Sequence, residues 1–138
     1  MKELPDSQNS LVVRADFSDG AAWYLICRQI EAPVGAFRAY VSFLSDPDFG
    51  GLTTDELTAL AQRGTYRSFL FVVDGESLRN PEHPILVLDL VETPGRAFRV
   101  VPSEMWGIEN NLSISNMDFS DFADSVGPDD VFRGFVGD

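Results

Sequence analysis

The chain has 138 residues, 44% of them hydrophobic, and its 10 basic and 22 acidic side chains give a net charge of −12. This length suits one domain with a buried core, and this hydrophobic fraction is typical of folded chains. The negative charge repels nucleic-acid phosphates and anionic lipid surfaces, so it argues against both as partners.

Cys27 is the only cysteine, so no disulfide can form within the chain, and we expect a reducing, cytoplasmic location. The first ten residues lack the basic and apolar stretches of a signal peptide. The strand-like apolar runs at 69–73 and 85–88 are far shorter than the roughly 20 residues of a membrane helix. We predict a single domain over 1–138, with a flexible terminus at 1–10 and no membrane association.

Two β-α units are predicted in the first half of the chain. Residues 11–16 are β-rich, and either Ser18 or Asp19 then caps a helix. That helix carries an apolar stripe at the 3.6-residue period, formed by Trp23, Ile26, Cys27 and Ile30. A second strand is expected over 38–44, and the capping-box pattern at 53–56 opens a second helix.

Two nearly continuous apolar runs, 68–73 and 85–90, predict central strands that are covered on both faces. Residues 93–96 suit a type II turn, so 97–101 should return antiparallel to the preceding strand. The predicted sheet is therefore mixed.

Helices are expected over 103–111 and again after Ser115 or Asn116, where an apolar stripe follows at Phe119, Phe122, Ala123 and Val126. Residues 131–136 either add an edge strand or pack as irregular chain. This order predicts an α/β fold, a three-layer sandwich with helices on both faces of a mixed, mainly parallel five-stranded sheet and an antiparallel hairpin at the sheet edge. A flavodoxin-like strand order is one possibility.

Three aspartates follow or end predicted strands, namely Asp16, Asp74 and Asp89. Carboxylates at the carboxyl edge of an α/β sheet can hold Mg²⁺ for phosphoryl transfer or hydrolysis. The alternative is that these acids end strands and cap helices. The alternative is favoured because phosphoryl-transfer sites of this kind also use a lysine, and the only lysine is Lys2. We expect no bound cofactor.

His83, the only histidine, lies in a proline-rich loop, and Cys27 lies on the inward stripe of the first helix. Neither position favours catalysis: the first suits a surface histidine and the second a thiol that behaves as a small hydrophobic group. The absence of other familiar catalytic motifs makes a non-enzymatic protein the better expectation.

The end of the chain is acidic: from residue 103 onward there are eight carboxylates and one arginine. Such a face can dock a basic protein, and its alternative is a solvated helix surface. The predicted partner-binding residues are Asp118, Asp121, Asp124, Asp129, Asp130 and Glu109.

The chain resembles an uncharacterised bacterial family of small acidic proteins. The resemblance covers nearly the whole chain and is carried by residues 11–14, 16–18, 81–84, 109–114, 116–119 and 132–135. It implies a bacterial protein of unknown activity, with no catalytic residue to carry over. It also draws attention to a polar-aromatic set beside its most distinctive stretch, which gives the ligand-pocket candidates Trp106, Asn110 and Asn111. In the alternative, the asparagines only tie loops to the backbone.

Three hypotheses follow. The leading one is a non-enzymatic cytoplasmic protein-binding module, of inhibitor or immunity type, whose acidic C-terminal face neutralises a basic partner. The second is a Mg²⁺-dependent enzyme that uses Asp16 and Asp74. The third is a small-ligand sensor with a pocket beside Trp106 and Asn110. The sequence leaves the oligomeric state open.

Overall fold

The computed structural model describes residues 2–135 of the chain. Its strands are β1 (Ser10–Arg14), β2 (Val41–Leu44), β3 (Phe69–Val73), β4 (Ile85–Asp89), β5 (Ala97–Val100) and β6 (Val131–Phe132). Its α-helices are α1 (Gly20–Glu31), α2 (Thr54–Ala61), α3 (Gly75–Arg79), α4 (Met105–Ser113) and α5 (Phe119–Ala123). Short 3-10 turns at Pro47–Phe49 and Pro102–Glu104 precede α2 and α4.

The strands form one sheet in the order β2-β1-β3-β4-β5-β6. β1 pairs in parallel with β2 and β3, β4 pairs antiparallel with β3 and β5, and β6 is parallel to β5. Within this sheet β4 is thus the one strand that runs against the others. The predicted α/β class with a mixed, mainly parallel sheet is confirmed.

The prediction of five strands with the hairpin at the edge is wrong in one respect, because β6 adds a sixth strand outside β5. Val131 and Phe132 pair with Arg99 and Val100. A strand of two residues is too short to show an alternating pattern, so the sequence could not distinguish it from irregular chain.

Helices cover both faces of the sheet, as predicted. The buried side chains of α1, α4 and α5 join one core cluster, and those of α2 join the other. Along β1, Val12 belongs to the first cluster and Leu11 and Val13 to the second, because successive side chains of a strand point to opposite faces. The chain steps from β1 outward to β2 and then back past β1 to β3, and right-handed crossovers in opposite directions place α1 and α2 on opposite faces.

The helix starts show which polar residue acts as the cap. Asp19, one of the two predicted caps, accepts a hydrogen bond from the Ala22 amide, and the predicted Thr53 capping box is present. The predicted cap of the last helix is wrong: the N-cap is Asp118, while Ser115 has a left-handed φ of 57° in the preceding loop. Several neighbouring polar residues can all cap a helix, so local sequence does not choose among them.

The N-terminal segment, predicted as flexible over 1–10, contributes one buried side chain, Leu4, to the core beside α2. β1 itself begins at Ser10. None of the helices described over 2–135 has the length and apolarity needed to cross a membrane.

Candidate functional site

Asp16 and Asp74 meet at the carboxyl edge of the sheet, where the chain order of the strands reverses between β1 and β3. Gly75 begins α3 directly after Asp74 and leaves room for two side chains. A Cβ atom placed on it would lie 3.0 Å from Asp16 Oδ2 and 2.6 Å from Arg79 Nη1. The sequence predicted a carboxylate at the carboxyl end of each of these strands; the pairing of β1 with β3, which brings the two ends side by side, comes from the fold.

Arginine side chains occupy this edge together with the carboxylates. Arg99 donates two hydrogen bonds to Asp74, of 2.9 Å to Oδ1 and 2.8 Å to Oδ2. Burial raises the pKa of Asp74, but the hydrogen bonds and charge of Arg99 outweigh it and hold the pKa below its usual value. Hydrogen bonds from Ser18 lower the pKa of Asp16, and the charge of Arg79 adds to this effect.

In chemical terms this arrangement is one ion pair, Asp74 with Arg99, beside a second carboxylate, Asp16. Asp74 also accepts a hydrogen bond from the Ser77 amide, so most of its lone pairs already have protein donors. Over residues 2–135, no group of three or more His, Cys, Asp or Glu side chains is placed to hold a metal ion. The arginines were missed in the sequence; the available signal was Arg99 within an otherwise apolar strand.

Asp89 does not join this cluster. It ends β4, which runs antiparallel to β3, so it pairs with Phe69 at the start of β3. Asp89 therefore lies at the opposite end of the strands from Asp16 and Asp74. Its buried carboxylate accepts hydrogen bonds from the Val91 amide at 3.0 Å and the Thr93 amide at 2.9 Å. Asp89 shapes the turn between β4 and β5, which corrects its expected place beside Asp16 and Asp74.

His83 and Cys27 occupy sites without catalytic partners among residues 2–135. The Nδ1 atom of His83 lies 2.9 Å from the Ser77 carbonyl oxygen, so the ring is tied to the loop that follows α3. Cys27 is buried in α1, and this burial raises the pKa of its thiol to about 12. The thiol is therefore protonated at neutral pH.

The predicted acidic face is present on α5 and the loop after it. Its side chains are exposed at Asp118, Asp121, Asp124, Asp129 and Asp130. Two of them are paired: Asp124 with Arg96 at 2.6 Å, and Asp129 with Arg133 at 2.7 Å. The other three have no Lys or Arg partner within the described part of the chain.

Glu109 was predicted to belong to this face, and that prediction is wrong. Its side chain is buried, with 4% of the residue exposed. It accepts hydrogen bonds from the Tyr40 amide at 2.8 Å and the Ser10 hydroxyl at 2.9 Å, which joins α4 to the starts of β1 and β2. Glu109 lies on the inward face of α4 beside Met105 and Ile108. A pattern of apolar residues at helical spacing does not reveal this position, because glutamate is charged.

A groove lies next to the acidic face, at the edge of the sheet where β3 begins. We call it the acidic groove. It is lined by five apolar or aromatic side chains, three acidic ones and two serines, namely Tyr66, Val91, Leu112, Met117, Phe119, Asp89, Glu92, Asp118, Ser68 and Ser115. Tyr66 is 78% exposed. Tyr66 was not predicted from the sequence, although an aromatic residue inside a polar loop was a usable signal.

A second cavity, of about 410 Å³, lies beyond the end of β6. We call it the aromatic cavity; it is lined by Glu104, Trp106, Gly107, Asn111, Phe122, Phe132, Arg133, Gly134 and Phe135. It brings together two of the predicted pocket residues, Trp106 and Asn111. The third, Asn110, lines a different depression and donates a hydrogen bond of 3.0 Å to the Arg38 carbonyl.

A family model described as "Domain of unknown function (DUF6924)" matches residues 9–135. The match spans every strand and helix and all the site residues above. No curated protein matches the chain. The resemblance to a family of unknown function is thereby confirmed, and it brings no assigned active-site residue.

Proposed function

The chain belongs to the DUF6924 family, and we propose that it is a non-enzymatic, cytoplasmic protein-binding module of inhibitor or immunity type. Its docking surface is the acidic groove together with the exposed acids of α5. The partner is a protein that presents a basic segment with an apolar anchor. The observation that carries the proposal is that the exposed Tyr66 and the exposed Asp118 line the same groove.

An exposed aromatic ring beside carboxylates is the composition of a docking surface. Tyrosine buries a large area on binding at a small cost in side-chain entropy, and it is enriched among the residues that dominate binding free energy. Val91 is also exposed, and Met117 adds an adaptable apolar wall. A partner that covers this groove gains apolar burial at its centre and charge pairing at its rim.

The charges around the groove favour a basic partner. Glu92 and Asp118 line the groove and Asp121 lies one helical turn from Asp118, while Arg96 is held by Asp124. Opposite charge across an interface raises the association rate and excludes acidic competitors. The overall charge of −12 adds long-range attraction in the same sense.

The experiment that tests this proposal is capture of binding proteins by the tagged chain from its native lysate. The test variant replaces Asp118, Asp121 and Asp124 by asparagine, which can still cap a helix. The matched control removes the same charge from exposed positions elsewhere, as Glu31→Gln, Asp55→Asn and Glu76→Gln.

We expect the wild type and the control to retain a basic protein at low salt and to release it at high salt. The variant of Asp118, Asp121 and Asp124, called the α5 variant, should not retain this protein. Retention that is equal in all three proteins would contradict the proposal. Tyr66→Ala should also weaken retention, because this variant loses the aromatic side chain of the groove and keeps the charge of the groove.

A Mg²⁺-dependent enzyme is the second candidate, supported by the meeting of Asp16 and Asp74 where the strand order reverses. Arg99 weakens it, because a guanidinium already neutralises Asp74. This candidate predicts saturable Mg²⁺ binding that Asp16→Asn abolishes. The absence of heat in a calorimetric titration of the wild type with Mg²⁺ would rule out this candidate.

A further inference from the structure

We propose that the aromatic cavity binds a small organic cation, an alkylammonium group carried by a small molecule. Its volume of about 410 Å³ falls in the range of small-molecule sites, roughly 300 to 1,000 Å³. The cavity shares no lining residue with the acidic groove, so this inference is independent of the proposed function.

Aromatic rings form most of the apolar wall. The ring centroids of Phe132 and Phe135 are 5.0 Å apart at an angle of 75°, and those of Phe122 and Phe135 are 5.5 Å apart at 37°. Trp106 is fixed by stacking on Phe37, with centroids 4.5 Å apart. All four of Trp106, Phe122, Phe132 and Phe135 line the cavity, although Phe122 and Phe132 are almost wholly buried. Ring faces carry negative partial charge and attract cations, tryptophan most strongly.

The charged side chains around the cavity favour a cation over an anion. Glu104 lines it, and its Oε1 atom would lie 3.0 Å from a Cβ atom on Gly134, so the carboxylate is close against the cavity wall. Within residues 2–135 no Lys or Arg pairs with Glu104. The one lining cation, Arg133, is held by Glu82 at 2.8 Å and Asp129 at 2.7 Å. Of the two charged side chains that line the cavity, Glu104 is therefore the one without an ion-pair partner among residues 2–135.

Trp106 adds a requirement for a hydrogen-bond acceptor. Its indole Nε1–H is buried and has no acceptor among the described residues. A buried donor without a partner costs free energy, so a ligand that supplies an acceptor gains affinity. An ammonium compound that also carries a hydroxyl oxygen brings a charge for the Glu104 carboxylate and an acceptor for this donor.

The test is a calorimetric titration of the full chain with choline and with its neutral carbon analogue, dimethylbutanol, which has the same shape without the charge. We expect choline to bind at one site and dimethylbutanol to bind about tenfold more weakly or worse. Glu104→Gln should weaken choline about tenfold and leave dimethylbutanol unchanged. Glu31→Gln, an exposed glutamate at the end of α1, is the matched control and should bind choline as the wild type does.

The comparison of the two compounds on the wild type tests the proposal even if Glu104→Gln does not fold. No heat from choline up to about 10 mM, or equal affinity for both compounds, would overturn it. Full choline affinity in a folded Glu104→Gln variant would also overturn it. The variant of Asp118, Asp121 and Asp124 should keep its choline affinity, so a failure here is distinct from a failure of the docking surface.

Discussion

At the scale of single residues, the Asp74 carboxylate has two separate roles. It accepts two hydrogen bonds from Arg99, and it caps α3 by accepting from the Ser77 amide. Because Asp74 and Arg99 are both largely buried, each would be left with an unsatisfied polar group if the other were removed. The two roles can be separated because asparagine preserves the cap and removes the charge.

We expect Asp74→Asn to lower the free energy of unfolding at pH 7 by about 2 kcal/mol. The pKa of Asp74 is below its ordinary value in the folded protein, so its ionic contribution is complete above about pH 4. That contribution is lost as the pH falls through the lowered pKa. Urea unfolding of the wild type and Asp74→Asn between pH 7 and pH 3 should therefore show a difference in the free energy of unfolding that becomes smaller as the pH falls.

Asp19→Asn is the control for this series, because Asp19 also caps a helix but is exposed and has no arginine partner among residues 2–135. It should change stability little at any pH. A difference between wild type and Asp74→Asn that stays constant down to pH 3 would show that the loss is not ionic.

Cys27 provides a second prediction at this scale. Its burial raises the thiol pKa to about 12, so almost none of the protein carries the reactive thiolate at pH 8. We expect the native protein to resist a chromogenic disulfide reagent at pH 8 and to react fully in urea. Rapid labelling without denaturant would mean that α1 opens readily in the native state.

At the scale of elements, Glu109 joins α4 to the starts of β1 and β2. Its carboxylate accepts from the Tyr40 amide, the Ser10 hydroxyl and the Asn110 side chain. The start of α4 has no side-chain cap, so no local hydrogen bond of this kind fixes where the helix begins. The buried carboxylate and the apolar residues beside it therefore set its position on the sheet.

Glu109→Ala should lower the free energy of unfolding by about 2 to 3 kcal/mol, because it leaves buried donors without an acceptor. Glu109→Gln should cost less, since the glutamine oxygen still accepts from the Tyr40 amide and the Ser10 hydroxyl can accept from the glutamine amide. Thermal and urea unfolding measure both. Retention of the basic partner by Glu109→Gln should equal that of the wild type. A loss of retention would indicate that Glu109 contributes to the docking surface.

At the scale of the whole molecule, charge and shape are expected to act on different steps of partner binding. In the proposed complex, the charge of −12 should act at long range and the acids of α5 near contact, and salt should screen both effects. Tyr66 should contribute only after contact, because apolar burial has short range.

With the captured partner in hand, the α5 variant should slow association about tenfold at low salt and change dissociation little. Tyr66→Ala should instead speed dissociation, with association unchanged. Biosensor kinetics at two salt concentrations separate the two effects. Slower association caused by Tyr66→Ala alone would show that the association rate is not determined by charge.

The sequence by itself determined the features that depend on near neighbours in the chain. The stripe from Trp23 to Ile30, the Thr53 capping box and the turn at residues 93–96 follow from spacing and local hydrogen bonding, and from them came the α/β class and the predicted mixed sheet. The sequence also placed Asp16 and Asp74 at strand ends, but their proximity depends on the pairing of β1 with β3 and did not follow from it.

Only the tertiary structure decided which side chains meet across the fold. The direction of β4 moved Asp89 to the opposite edge, and the packing of α4 on the sheet buried Glu109. The aromatic cavity joins Trp106 to Phe132 and Phe135, which come from separate elements. Contacts of this kind depend on strand direction, register and helix rotation, and these are fixed by burial of the whole core and not by the sequence around any one residue.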